Sequence, residues 1–184
     1  FEFCHIVATH LKSCFPHFKI GGPAIAGEFD WAEESLKQLK APLDFFSWHS
    51  YENVHCIKRF SAYCRKMLEH YGFGDVEDFL NEWNPSACRI KDKRNPKTSA
   101  HVMAVMIAMQ NGATSMLNYY DARIGTSSYA GMFDAETKKP TKVYYTFLSF
   151  NQAYKLGNAV ETASDDENVF VCGATGEKKS VLLI

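Results

Sequence analysis

The chain has 184 residues, 46% of them hydrophobic and 22% charged, which suffices for one domain with a real core and excludes a mostly disordered chain, a collagen-like fibre and a small disulfide scaffold. Its 20 basic residues stand against 21 acidic ones for a net charge of −1, so no basic surplus exists to neutralise a phosphate backbone and no nucleic-acid partner is expected. No apolar stretch approaches the roughly 20 residues needed to span a bilayer; the longest, Val102 to Ala108, is far too short, and no membrane partner is expected.

The predicted elements alternate. Phe3 to Phe15 has helical apolar spacing, with Ile6, Val7, His10, Leu11 and Cys14 on one side. Phe18-Lys19-Ile20 reads as a short strand ending at Gly21-Gly22-Pro23. Asp30 is placed to cap a helix from Trp31 to Leu39. Leu43 to Trp48 is a predicted strand, and Val54 to Tyr71 a long amphipathic helix closed by Gly72. Asp78 to Trp83 is a strand closed by Asn84-Pro85, and Thr98 to Gln110 an apolar helix. Thr114 to Tyr120 is a strand, followed by a loop rich in Gly and Ser from Asp121 to Lys139. Pro140 opens a helix to Leu156, closed by Gly157.

One helix followed by four strand–helix units predicts an α/β fold with a parallel sheet, either open and doubly wound or part of a (β/α)8 barrel. A full barrel needs about 250 residues, so this chain supplies half of one. Asn168 to Cys172 and Ser180 to Ile184 read as two strands joined by a turn at Gly173 to Glu177. A boundary near Asn158 separates residues 1–157 from residues 158–184, a linker and the opening strands of a β-domain. Phe1 lies inside an amphipathic pattern and Val181-Leu182-Leu183-Ile184 is an apolar run with no stop. The chain is therefore expected to be a fragment, and no targeting segment is legible within it.

Six cysteines, at 4, 14, 56, 64, 88 and 172, form no Cys-x-x-Cys pair, and neither they nor the seven histidines show metal-ligand spacing. Cys4, Cys14, Cys56 and Cys64 are expected as buried free thiols. No metal or organic cofactor is expected. Gly21-Gly22-Pro23 lacks the Lys-Ser/Thr of a phosphate loop and reads as a tight turn. Lys91-Asp92-Lys93-Arg94 reads as a solvated loop.

Polar and aromatic residues gather at the strand ends: Trp48-His49-Ser50-Tyr51, Asn81-Glu82-Trp83-Asn84 and Asn118-Tyr119-Tyr120-Asp121. In parallel α/β proteins the carboxyl ends of the strands form the active-site face. Glu82 interrupts an apolar strand, where a carboxylate is expected to be nearly buried and to need partners. It is either a structurally paired strand-end glutamate or a nucleophile or general acid/base. His49 and Tyr51, two apart on an extended segment, point to one side and could hold that carboxylate, or be core residues. Tyr119, Tyr120 and Asp121 suit a polyol site or loop packing. Trp48 and Trp83 could stack on an apolar ligand face, although packing is the plainer account of each.

These segments resemble glycoside hydrolase family 39, the β-xylosidase and α-L-iduronidase group. The resemblance rests on Lys19-Ile20-Gly21-Gly22-Pro23-Ala24, on Leu43 to Tyr51, and on Phe79-Leu80-Asn81-Glu82-Trp83-Asn84. It continues through Tyr129-Ala130-Gly131-Met132-Phe133 and Lys139 to Tyr145, so that it covers most of residues 1–157. It implies the C-terminal half of a (β/α)8 TIM barrel, strands five to eight, followed by the start of a β-sandwich. On that mapping Glu82 ends strand seven as the catalytic nucleophile. His49 and Tyr51 end strand six, where they contact nucleophile and sugar, and Trp83, Asn84, Tyr119, Tyr120 and Asp121 join them as substrate-binding candidates. The family's acid/base glutamate, on strand four, would lie upstream of Phe1, so the fragment alone is expected to be inactive. Many members end strand eight with a Trp; here Tyr119 takes that place. The implied partner is a carbohydrate, and the implied reaction is double-displacement hydrolysis. A non-catalytic carbohydrate-binding or degenerate barrel is the alternative.

Overall fold

The structure is a computed structural model describing residues 2–85, 95–124 and 129–184. Cys88 and the cluster at 91–94 lie outside the described residues. The elements run α1 (Glu2–Cys14), β1 (Gly21–Ile25), α2 (Phe29–Gln38), β2 (Phe45–Ser50), α3 (Val54–His70) and β3 (Glu77–Trp83). They continue with α4 (Pro96–Ala108), β4 (Met116–Tyr119), α5 (Lys142–Leu156), β5 (Asn158–Val160), β6 (Cys172–Thr175) and β7 (Ser180–Leu183). β1-β2-β3-β4 form a four-stranded sheet in that order, every neighbouring pair parallel, and β5-β6-β7 form a three-stranded antiparallel sheet. The alternation of strands and helices is therefore the expected α/β one.

The chain divides into two compact units. The first comprises Phe1–Ser50, Arg59–Trp83 and Gly112–Tyr119, and thus holds the whole parallel sheet. The second comprises Tyr51–Lys58, Asn84–Asn111 and Tyr120–Ile184.

In the first unit, Phe46, Trp48, Leu80 and Trp83 are buried together with Leu36 and Leu68 from the helices. Paired residues of parallel strands share a face, so one face carries Phe46, Trp48 and Ser50 beside Asp78, Leu80 and Trp83. All six are buried. The opposite face carries Phe45, His49, Phe79 and Glu82, all half-buried, with buried Ser47 between Phe45 and His49. Phe45 and Phe79 stack there, with ring centroids 4.9 Å apart.

Several boundaries differ from the sequence expectation. The first strand is Gly21–Ile25, not Phe18 to Ile20. Asp44 decides this: its carboxylate accepts from the Ile20 amide at 2.7 Å and from Lys12 at 2.6 Å, and its own amide donates to the Ile20 carbonyl. Those bonds occupy Ile20 just before the ladder begins. Gly21 then pairs with Phe45 at a distance only glycine tolerates. An added Cβ would lie 2.0 Å from the Phe45 carbonyl oxygen and 2.5 Å from its Cγ. Gly21→Ala is therefore expected to lower stability by about 2–3 kcal/mol in urea unfolding, while Gly74→Ala, whose Cβ would meet nothing closer than 3.9 Å, changes it by less than about 0.5 kcal/mol.

Asp30 is not the cap of α2. Glu28 holds that position without a side-chain capping bond, its carboxylate accepting instead from the Ala26 amide, and Asp30 lies in the first turn, where its charge complements the helix dipole. Helix α4 begins two residues before the expected Thr98, because Asn95 caps it by accepting from the Lys97 amide at 2.9 Å and Pro96 follows at the first helical position. Pro140 precedes α5, pairing with Phe133 in an isolated bridge. Gly157 closes α5 with φ +88°, as the sequence implies. Helix α1 buries none of its residues, so Cys4 and Cys14 are exposed rather than buried; Cys64 is buried as expected.

In the second unit, Ile107 of α4 and Ala153 of α5 pack with Ala174 and Leu183 of the antiparallel sheet, flanked by Phe150, Leu156 and Phe170. The turn between β6 and β7 falls at Gly176 to Lys179, closed by the Gly176 amide on the Lys179 carbonyl at 2.8 Å. It does not fall at Gly173 to Glu177. Gly173 belongs to the strand, where it pairs with Val160 and Leu182.

Candidate active site

All four strands of the first unit run the same way, so Ile25, Ser50, Trp83 and Tyr119 mark one carboxyl rim of the sheet. The site begins with an irregularity at that rim. Along β2 and β3 the pairs are Phe45↔Glu77, Phe46↔Asp78, Ser47↔Phe79 and Trp48↔Leu80. Then the register shifts and His49 pairs with Glu82, Ser50 with Trp83. Asn81 is the extra residue of a β-bulge.

The bulge explains why an acidic residue is tolerated in an apolar strand. Strict alternation after buried Leu80 would turn Asn81 outward, Glu82 into the buried face and Trp83 out of it. The inserted residue instead leaves Asn81 and Glu82 both half-buried and returns Trp83 to the core, where it is 1% exposed. Glu82 is thus not nearly buried, as the apolar run suggested. It stands on the open face of the sheet at the carboxyl rim, directly across the ladder from His49. Asn81 contributes a buried Oδ1 beside it that accepts no hydrogen bond from the described residues. Trp83 meets the ring of Tyr119 edge-on at 5.0 Å, which fixes the last residues of β3 and β4 against each other.

The second unit holds the remaining candidates. β2 ends at Ser50, so Tyr51 lies beyond the strand. Its ring packs on Tyr129 at 5.1 Å, and Tyr129 meets Tyr120 edge-on at 4.9 Å. Asn84 is buried and ties this cluster together: its Nδ2 donates to the carbonyls of Tyr120 at 2.8 Å and Ala130 at 3.0 Å. The Asp121 carboxylate receives Arg123 Nε at 2.7 Å, and the Arg123 guanidinium lies 5.9 Å from the centre of the Tyr120 ring. The peptide bond between Tyr120 and Asp121 is cis. His101 of α4, held below the ordinary histidine range by burial, hydrogen-bonds the backbone of Glu52, the neighbour of Tyr51. Sequence reasoning did not single out Arg123, Tyr129 or His101. Tyr129 stood inside a quoted motif, whereas Arg123 and His101 carry no local pattern that separates them from surface or core residues.

A further residue missed at the sequence level is Asp78. It is fully buried on the covered face, accepting from Trp48 Nε1 at 2.7 Å and from Thr114 Oγ1 at 3.2 Å. Burial pushes its carboxyl up to about 6. No group of His, Cys, Asp or Glu among the described residues is arranged to hold a metal ion.

Four parallel strands alternating with helices, with Glu82 and His49 at register partners on the carboxyl rim, have the architecture of part of a (β/α) barrel. The comparisons make that class more specific. The chain is similar in structure to a glucosidase from Croceicoccus marinus, with a TM-score of 0.79 at 23% identity, over 96% of this chain and 40% of that one. It is similar to a GH39 β-xylosidase from Caulobacter crescentus, with a TM-score of 0.76 at 16% identity, over 98% of this chain and 42% of that one. In sequence it is 29% identical to a β-xylosidase of Geobacillus stearothermophilus over 106 residues, 55% of this chain and 20% of the relative. No protein-family model matches. The fold is therefore that of part of a GH39 β-xylosidase-like barrel, and the chain spans about two fifths of those structures and a fifth of the curated relative.

Proposed function

We propose that the chain is the C-terminal half, strands five to eight, of the catalytic barrel of a retaining glycoside hydrolase acting on β-xyloside-like substrates, with Glu82 as nucleophile. The observation that carries this reading is the placement of Glu82 at the carboxyl rim, on the open face and paired with His49. It is supported by the sequence similarity to a β-xylosidase. The antiparallel strands from Asn158 onward are read as the start of an accessory β-domain.

In double displacement the nucleophile's carboxylate attacks the anomeric carbon while an acid protonates the leaving oxygen, and water then releases the sugar from the covalent ester. Glu82 supplies the first role, and His49, its register partner across the ladder, is assigned to orienting it. Tyr51, Tyr120 and Asp121, just beyond strand ends, are assigned to the sugar, with buried Asn84 holding their loop and Trp83 and Tyr119 as aromatic support. The acid/base carboxyl, about 5–5.5 Å from the nucleophile in a retaining enzyme, is assigned to residues upstream of Phe1. The 184-residue chain alone is then expected to be inactive. The chain extended upstream should hydrolyse an aryl β-xyloside, and proton NMR should show β-xylose as the first-formed anomer. α-Xylose appearing first would overturn the retaining mechanism. Binding of xylo-oligosaccharide without turnover would instead favour a non-catalytic barrel.

A further inference from the structure

We propose that the buried Asp78–Trp48 hydrogen bond, braced by Thr114 and Ser61, is a register latch that sets His49 opposite Glu82. The pair to be positioned lies on two parallel strands. No hairpin turn ties such strands together; they are joined by a long crossover, here the one containing α3. Register must then come from side chains. The bulge makes this demand acute, because it uncouples the ladder above Asn81 from the ladder below it. One step of slippage would set His49 against Asn81 and turn Glu82 toward Ser50.

Trp48 is the last residue of β2 below that break, and it immediately precedes His49. It pairs with Leu80, yet its indole reaches two residues back along β3 to Asp78 on the same face, donating at 2.7 Å. This diagonal contact pins β2 to β3 at the step where the register changes. Asp78 is itself fixed from two further directions. Thr114 Oγ1 donates to its second carboxylate oxygen at 3.2 Å, and Thr114 is bonded to Ser61 of α3 at 2.7 Å. The backbone carbonyl of Asp78 accepts from the Ser115 amide at 2.7 Å. Trp48 and Asp78 are 1% and 0% exposed, so no water competes for the bond. Asp78 never approaches the open face; it is a positioning residue acting through Trp48.

The importance of the His49–Glu82 pair rests on the functional reading above, but the latch is tested without turnover. Amide hydrogen exchange is followed by NMR in the 184-residue chain, comparing His49, Ser50, Glu82 and Trp83 above the bulge with Phe46 and Phe79 below it. Trp48→Phe and Asp78→Leu should each speed exchange above the bulge by roughly tenfold or more, with a smaller change below it. Asp78→Asn, which keeps an acceptor oxygen, should largely restore protection. The double variant Trp48→Phe/Asp78→Leu should be no worse than the stronger single one. Uniform acceleration through the sheet, unchanged exchange above the bulge, or additive effects would each overturn the latch. If Asp78→Leu fails to fold, Trp48→Phe decides the matter alone, since it leaves the Thr114 bond to Asp78 in place. A hydrolase that works with a freely exchanging His49–Glu82 segment would sink the latch and spare the function; an intact latch in a protein without turnover would do the reverse.

Discussion

Glu82→Ala, made in the chain extended upstream of Phe1, is expected to lower hydrolysis of an aryl β-xyloside by about 10⁴-fold or more, the scale on which loss of a covalent nucleophile is felt. The reason lies in position rather than residue type. Glu77 is also acidic and also on β3, but it pairs with Phe45 at the opposite end of the strand and engages Lys19. Glu77→Ala therefore serves as the control, with turnover within about twofold of the parent and at most a small cost in stability. Truncating Glu82 also leaves space beside the anomeric carbon. Added azide should enter it, attack that carbon and expel the aryl leaving group, forming an α-xylosyl azide in place of the enzyme ester. Recovery of turnover with that product identifies Glu82 as the group that forms the covalent bond. Unchanged turnover in Glu82→Ala would remove it from the mechanism.

The second large effect concerns stability and pH. Burial raises the Asp78 carboxyl from 3.8 to about 6, against the opposing pull of its bonds from Trp48 and Thr114 and the charge of Arg65. Buried Cys64 also faces it, its thiol raised chiefly by burial and further by Asp78. A folded-state value above the unfolded one means that the native state holds the proton more tightly. The stability linked to this proton is fully present below about pH 3.8 and is lost as pH rises through about 6. At 1.36 kcal/mol per tenfold change in proton affinity, the loss across that window is about 3 kcal/mol. Asp78→Asn carries no titrating group and should flatten this component. The measurement is urea unfolding of both chains at pH 4, 5, 6 and 7: the difference in stability, Asp78→Asn minus parent, should grow by about 2.4 kcal/mol across the series, since part of the window lies below pH 4. A constant difference would show that Asp78 is charged throughout, and would place the cost of its burial elsewhere.

Much of this was legible before any coordinates. Glycine and proline punctuation with helical apolar spacing located five helices and, within a few residues, the four strands of the parallel sheet, because those patterns depend on neighbours close in the chain. The choice of Glu82 followed from a polar residue breaking an apolar run. What misled was the local run of residues: the apolar strand around Glu82 made it seem nearly buried, and the extended reading past Trp48 set Tyr51 to the same side as His49, whereas β2 stops at Ser50. The first strand was displaced for a similar reason. Phe18-Lys19-Ile20 has the stronger strand composition, but Asp44, 24 residues on from Ile20, takes up the Ile20 backbone, and Gly21 fits against Phe45 where no side chain can.

The sequence by itself determined the order of helices and strands, the parallel character of the sheet and the acidic residue to suspect, since each is written in local spacing and composition. Only the tertiary structure decided the bulge at Asn81, the face on which Glu82 stands, and the buried Asp78 that ties Trp48 into place. Those features arise from the fit of one strand against the next, between residues some 30 positions apart, and no window of sequence holds both partners of such a contact.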